Sequence, residues 1–553
     1  MQTPILFNRT YIFLFSLLGL VYITGLFVPL MDNDSGHHAD IALRMYLTGD
    51  YVTLYDHRGD YIDKPHFLFW TSALSYHLFG VTSFAYRFPS FLFTILGTYS
   101  IFRLGKELYG HEIGKLAALI AASSFCYILA NNDVRMDAIL AAAIAFATWQ
   151  LVAYVHHRKF IFLLGAALGM AVGFCTKGHV GLVTPVAGIF FYILYKKDWR
   201  LLFDWHWLIV IFFFAFFISP VVYCYYLQFN LHPEKISQGI KGVNGVKYIL
   251  WSHSFDRIKG AERFGAVGKE DRFFFLHTFL WTFAPWCFVA FIALFLRLKN
   301  FFAAKEEWLS TGVFVMLAAL INFSNFKLPH YLPILTPATA LIVAHLFVSH
   351  WNDERWRKAF YIIQLSTSVL LLVVATLVNT WAFPVKSTIL LIGLIFFLVV
   401  VFYFFLSKMY NNIQRSITVS VASIALFFFL ANTNFYPQLL TYQGGKPLAD
   451  VTRGVADPKD VYFWKNTFSS TYNFYSSSNR QVFNDSLKQT GKNFWLIYEQ
   501  SQQPEIDSLG LQLGQTFSVP DYEITRLKKS FVDPVKRKQT LDSMIMAEVV
   551  VKK

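Results

Sequence analysis

The sequence is poor in charge. Of its 553 residues only 15% are Asp, Glu, Lys or Arg, where an average soluble domain has about 25%. Cysteine is scarcer still. Cys126, Cys175, Cys224 and Cys287 show no CxxC or metal-type spacing, and each sits in or at the end of an apolar run. That excludes a disulfide scaffold and reads as four packed thiols. No Gly-rich phosphate loop is found, so no nucleotide site is expected, and there is no internal repeat or low-complexity tract. What the chain has in quantity is apolar and aromatic: 55% hydrophobic residues, with 60 Phe, 29 Tyr and 14 Trp. Disorder and a collagen-like fibre are thereby excluded, and a polytopic membrane protein is indicated.

Thirteen apolar runs follow one another, near 11–31, 86–103, 114–131, 137–155, 160–176, 179–195, 206–226, 273–296, 308–323, 331–349, 360–381, 387–406 and 417–432. The first is long enough for a bilayer core of about 30 Å. It ends in Met-Asp-Asn-Asp rather than a small-residue cleavage site, so an uncleaved span is expected. The net charge is +14, which in a soluble protein would suggest nucleic acid. Here the basic excess lies in short loops. With Arg9 on the inner side, every predicted inner loop is basic: Arg103/Lys106, Arg158/Lys159, Lys196/Lys197/Arg200, Arg297/Lys299/Lys305, Arg355/Arg357/Lys358 and Lys408/Arg415. That is the positive-inside pattern, and the charge is read as topology, with no nucleic-acid partner.

The outer side differs in kind. It holds two long loops, 32–85 and 227–272, and a polar tail, 433–553, with 15 Lys/Arg against 12 Asp/Glu. Runs such as Val461-Tyr-Phe-Trp, Phe494-Trp-Leu-Ile-Tyr and Val549-Val-Val predict strands of a small α/β unit. Around the loops collect Asp32 and Asp34 after the first span, Asp63 and Lys64, Asp133, Arg135 and Asp137, Lys177, His253, Asp256 and Arg257, and Lys327 with His330. A charge in mid-bilayer costs roughly 2.5–3.5 kcal/mol on insertion scales, and a single one at a span end is usually an interfacial anchor. A set of both signs on one face asks for more. Lys and Arg suit phosphate, and a carboxylate suits a proton-bearing nucleophile. The set therefore points to an anionic substrate at the membrane surface.

Several of these residues fall in an ordered series: Asp32-Asn-Asp-Ser-Gly-His-His-Ala-Asp, Gly49-Asp-Tyr-Val, Tyr61-Ile-Asp-Lys-Pro-His-Phe-Leu-Phe-Trp, Arg87-Phe-Pro-Ser, Asp137, Thr176-Lys-Gly-His-Val-Gly, and Phe326-Lys-Leu-Pro-His-Tyr-Leu-Pro. The series resembles the polyprenyl-phosphate-dependent GT-C glycosyltransferases, and is most similar to the aminoarabinose lipid A transferases and the protein O-mannosyltransferases of family 39. It covers roughly residues 10–345. One departure is local: the family carries Asp-Glu where this chain has Asp34-Ser35, followed by His37-His38.

The resemblance implies an all-α polytopic membrane protein of the GT-C type with about thirteen transmembrane helices, plus a small C-terminal α/β extracytoplasmic domain. The membrane domain would cover 1–432 and the periplasmic domain 433–553. It implies a polyprenyl-phosphate-linked sugar donor, a lipid, glycan or protein acceptor, and a bacterial inner membrane with the N-terminus cytoplasmic. A cation must stabilise the leaving phosphate. Lys64 is the first choice, with Lys177, Lys327 and Arg257 as alternatives. A base must serve the acceptor, with Asp34 first and Asp137 second. Tyr61, His330 and Tyr331 join the substrate-binding set. His253 and Asp63 would orient substrate or hold a divalent metal, although two ligands are too few to specify one, and no other cofactor is indicated. The alternative function is a transporter or flippase of lipid-linked sugar. The one-sided cluster favours the enzyme.

Overall fold

The computed structural model describes residues 5–237, 239–253, 271–302, 306–324, 327–465, 467–478, 481–485, 487 and 491–551. Among them, eight helices are long and apolar enough to cross a bilayer: Asn8–Leu26, Asp137–His157, Phe160–Lys177, Trp207–Asn230, Pro329–Ser349, Glu354–Ala382, Thr388–Leu406 and Asn412–Tyr442. The pair His111–Ala122 and Phe125–Asn132, bent by 51°, makes a ninth if it is one span. The remaining apolar runs are helical too, and shorter or more polar. Ser83–Tyr109 carries Arg87, Arg103, Lys106 and Glu107. Val180–Lys196 and Leu309–Phe323 have 17 and 15 residues, and the run at 273–296 is split into Phe274–Thr282 and Cys287–Lys299. The chain is a multi-pass membrane protein.

Composition decides which helix lies inside. Asp137–His157 is 89% buried and alanine-rich, whereas Thr388–Leu406 and Trp207–Asn230 are 22% buried. Small side chains let neighbouring backbones close in, and large aliphatic ones face lipid. The helical hairpin Phe160–Lys177/Val180–Lys196 is tightest at Gly181, where a Cβ would stand 2.3 Å from the Gly173 carbonyl carbon. Two glycines thus draw the hairpin shut and fix Lys177 at its tip.

The tail carries one five-stranded sheet. Its order is Gln481–Val482, Val461–Phe463, Phe494–Glu499, Asp542–Val550, Gln512–Asp521. The first three strands run parallel and the last two pair antiparallel. The unbroken run Phe494-Trp-Leu-Ile-Tyr reads apolar throughout because its strand is central. Leu496 and Tyr498 pack into a cluster with Trp464, Ile545 and Ala547. Ile497, of opposite parity, packs with Phe463, Val519 and Met546 on the other face. Short or edge strands such as Gln481–Val482 lack that signal.

Two polar clamps join the tail to the membrane unit. Asp32 accepts from Ser469 Oγ, from Thr471 N at 3.2 Å and from Thr471 Oγ1 at 3.0 Å. Tyr475 Oη accepts from Leu30 N and meets Ser83 Oγ, both at 2.7 Å. Beneath them the fully buried Arg87 donates to the carbonyls of Val28, Pro29 (3.1 Å) and Asn132 (2.8 Å). It holds the end of the first span against the turn that leads to Asp133. Arg87→Leu leaves three buried carbonyls unsatisfied, at about 1–3 kcal/mol each. A fall of several degrees in the melting temperature of the detergent-solubilised protein is expected, and an unchanged melt would contradict the clamp.

Candidate functional site

Four short features converge at one end of the helices. Asn33 caps the helix Asp34–Thr48, accepting from Ser35 N at 2.8 Å, and the helix stops at Gly49 with φ 70°. This sets Asp34 on the first turn. The residues between Phe125–Asn132 and Asp137–His157 carry Asp133 and Arg135, and Asp137 opens the second helix. Lys177 ends its own helix, just before the turn Gly178-His179, and His330 and Tyr331 lie in the 3-10 turn Pro329–Leu335.

Arg135 ties these together. Its Nη1 lies 2.6 Å from Asp34 Oδ2 and 3.0 Å from His330 Nδ1, and its Nη2 lies 3.0 Å from Asp133 Oδ2. A guanidinium only donates, so His330 accepts at Nδ1 and its N–H is on Nε2. Burial works against the Arg135 charge, but Asp133, Asp34 and Asp137 outweigh it and hold its pKa up. Asp34 is half-exposed, with 52% of its side chain open. Burial acts to raise its carboxyl, yet the Arg135 guanidinium, with Lys64 behind it, overcomes this and holds it below the usual carboxylate range. Alongside, Lys177 Nζ is 2.5 Å from Asp137 Oδ1 and 4.2 Å from the centre of the Tyr331 ring. Asp137 is buried, and its Oδ2 has no hydrogen-bond partner among the described residues. A cavity of about 180 Å³ opens between these pairs. Asp133, Arg135, Asp137 and His330 line its polar side, and Cys126, Leu129, Ala130, Trp281 and Pro333 its apolar side.

The long connection after the first span covers one flank. Lys64 pairs with Asp63 and lies close enough to act electrostatically on Asp34, His38 and His330. Tyr61 is buried, edge-on to His37 and Phe69. His38 is buried against Phe69, and burial pushes its pKa down to about 3, so it is neutral. His253 is buried as well, and its Nε2 is 2.8 Å from the backbone carbonyl of Asp63. The pair His253/Asp63 therefore meets ring to backbone.

Of the expected residues, then, Asp34, Asp137, Lys177, His330 and Tyr331 come together, with Lys64, Asp63, Tyr61 and His253 alongside. Lys327 does not join them in this arrangement. Its ammonium donates to the backbone carbonyl of Asp271 at 3.2 Å. Arg257 lies outside the described residues. Asp32, paired with Asp34 in the sequence, faces the tail instead. Arg135 and Asp133 stand in the sequence as charges with no role assigned to them. The signal was present as Asp133-Val-Arg135-Met-Asp137, three charges of alternating sign in five residues between two apolar runs.

Residues 63–224 match the family model of dolichyl-phosphate-mannose-protein mannosyltransferase. The chain is 25% identical over 354 residues to the undecaprenyl phosphate-alpha-4-amino-4-deoxy-L-arabinose arabinosyl transferase of Pseudomonas aeruginosa, covering 62% of this chain and 60% of that one. It is 32% identical over 176 residues to the protein of the same name from Aeromonas hydrophila, covering 31% and 32%. An uncharacterized protein of Aquifex aeolicus matches at 25% over 364 residues, covering 65% and 66%. The chain thus spans less than two thirds of the length of these curated relatives. The crystal structure of ArnT from Cupriavidus metallidurans bound to undecaprenyl phosphate superposes with a TM-score of 0.73 at 16% identity, over 97% of both chains. The fold is that of ArnT, the GT-C type, and the resemblance read from the motifs is borne out.

The Lys177–Asp137 pair gives a direct structural test. Lys177→Ala leaves a buried carboxylate without its cation, which costs about 3–5 kcal/mol. The double variant Lys177→Met/Asp137→Asn leaves no buried charge unpaired, and is expected to melt above Lys177→Ala and closer to wild type. Equal melting of the two would contradict the pairing.

Proposed function

We propose that this chain is a membrane glycosyltransferase. It moves a sugar from a polyprenyl-phosphate donor to a lipid, glycan or protein acceptor at the periplasmic face of a bacterial inner membrane. The N-terminus is cytoplasmic and the tail, 433–553, is a periplasmic domain. The single observation that carries this reading is Arg135 joining Asp34 to His330 at the rim of a cavity whose other side is apolar. A lipid phosphate needs both a cationic rim and an apolar wall. The ArnT fold and the sequence likeness to undecaprenyl-phosphate-dependent transferases support the same reading.

In the transfer step an acceptor oxygen attacks the anomeric carbon, and the bond from that carbon to the phosphate oxygen breaks. Polyprenyl phosphate leaves, and direct in-line attack inverts the anomeric centre. The leaving oxygens gain charge as the bond lengthens, so preplaced cations lower the barrier. Lys64, Lys177 and Arg135 are the cations at hand. Arg135 is the one bound to Asp34 at rest. A donor phosphate competes for it, and Asp34 then loses its main counter-charge. Its pKa rises toward the ordinary carboxylate value, which makes it a better base for the acceptor proton. The phosphate that occupies Arg135 thereby readies the carboxylate.

Two outcomes follow. Asp34→Asn is expected to stay folded, since Asp133 and His330 still hold Arg135, and to lose transfer by at least about a hundredfold, the range of a general base. Near-wild-type turnover would remove Asp34 from the reaction. The second concerns pH. A carboxyl held low by Arg135 stays ionised until the pH falls below its ordinary value of 3.8. The acid limb of kcat/KM in wild type is therefore expected below that value, and in Arg135→Gln it should move to higher pH. A limb that does not move would separate Arg135 from Asp34 in function.

A further inference from the structure

The first outer loop brings together a second group of ligand-type side chains, apart from the residues given roles above. His37, on the first turn of the helix Asp34–Thr48, faces the hairpin formed by Tyr55–Asp56 and Gly59–Asp60. Asp56 is buried on this hairpin and His57 is exposed at its turn. One ligand atom from each of His37, Asp56 and His57 lies within 4.8 Å of the others. We propose that these three residues form a binding site for a divalent transition ion of the zinc class, which fastens the hairpin to the helix that carries Asp34.

Geometry and ligand chemistry both support the site. Two ligands about 2.0 Å from a tetrahedral ion stand about 3.3 Å apart. His37 Nε2 and Asp56 Oδ2 are 3.2 Å apart. One edge of the tetrahedron is therefore already built. His57 is exposed and sits on a two-residue turn, so a small shift of the turn completes a face. Two imidazoles and a carboxylate suit zinc over magnesium or calcium, which prefer oxygen. The ring of His57 is held from outside the loop, stacked on Phe468 of the tail with centroids 4.0 Å apart. One neighbour opposes the ion. Arg58 Nη2 donates to the same Asp56 oxygen at 3.1 Å, but its side chain is 69% exposed and can swing into water when a cation takes its place. The site would carry three protein ligands, leaving a fourth position for water.

The consequence is local. His37 lies three residues after Asp34, one helical turn along the same face, and Tyr61 packs edge-on against the His37 ring. An ion held here joins three parts of the chain that adjoin the cluster: the Asp34 helix, the hairpin, and through His57 the tail.

The test uses the full chain, purified in detergent and stripped of metal with a chelator. Zn²⁺ is titrated against a chromophoric competitor, and Co²⁺ is bound in parallel to read the ligand field by absorption. One tight equivalent is expected, with a tetrahedral Co²⁺ spectrum. His57→Ala and Asp56→Asn should each weaken the affinity by at least about tenfold and flatten that spectrum. His57 is exposed, so its variant tests the site without disturbing the core. His232→Ala, at an exposed histidine beside Glu234, should change nothing. No binding at micromolar Zn²⁺, or binding that survives both loop variants, would overturn the assignment.

Discussion

The structure depends on keeping charge at the membrane edge paired. A guanidinium or carboxylate in a low-dielectric setting is costly unless a partner offsets it, and the rim at this end of the bundle meets that condition with Arg135. It is the shared partner of Asp34, Asp133 and His330. Lys177 and Asp137 pair beside it. Because the cations and anions neutralise one another at rest, the cluster can sit at the end of an alanine-rich, deeply buried helix. On the proposed function, the pairing is exchanged when a donor phosphate takes a cation, so that no charge is left unpaired.

The surrounding fold supplies position. Arg87 ties the end of the first span to the turn before Asp133. The glycine pair Gly173/Gly181 closes the hairpin that carries Lys177. Asp32 and Tyr475 bind the tail to the membrane unit. The single triplet Asp32-Asn33-Asp34 thus divides its labour. Asp32 faces the tail, Asn33 caps a helix, and Asp34 pairs with Arg135, which lines the cavity. Burial raises the Asp32 carboxyl, and its hydrogen bonds to Ser469 and Thr471 act against that rise, as befits a group held inside an interface.

How much of this the sequence carried follows from range. Apolar runs are local, and each expected run is helical. What shortened or broke some of them was also local in part, as at the split between Thr282 and Cys287. Asp34, Asp137, Lys177 and Tyr331 were readable because rare polar residues at span ends stand out against an apolar background. The opposite fates of Asp32 and Asp34 were not readable, since they depend on Ser469 and Thr471, more than four hundred residues away. Lys327 looked like its neighbours in the sequence, and only tertiary structure turns it to the carbonyl of Asp271. The tail strands were legible where a strand is buried on both faces, as at Phe494–Glu499. They were missed at Gln512–Asp521, where most side chains are exposed or half-exposed. The departure at Ser35, with His37 and His38 after it, marks where this chain differs locally. His38 is sealed as a neutral ring, while His37 turns outward to Asp56 and the hairpin.

The central claim is that this chain cleaves a lipid-phosphate sugar rather than carrying it across the bilayer. The most direct measurement is a mass balance on the donor. Purified protein is reconstituted in vesicles with a polyprenyl-phosphate sugar and membrane-extracted acceptors, and the lipids are followed by mass spectrometry. The account predicts that polyprenyl phosphate appears in step with a glycosylated acceptor. A donor that crosses the vesicle membrane intact, with no free polyprenyl phosphate formed, would contradict it and make the chain a transporter.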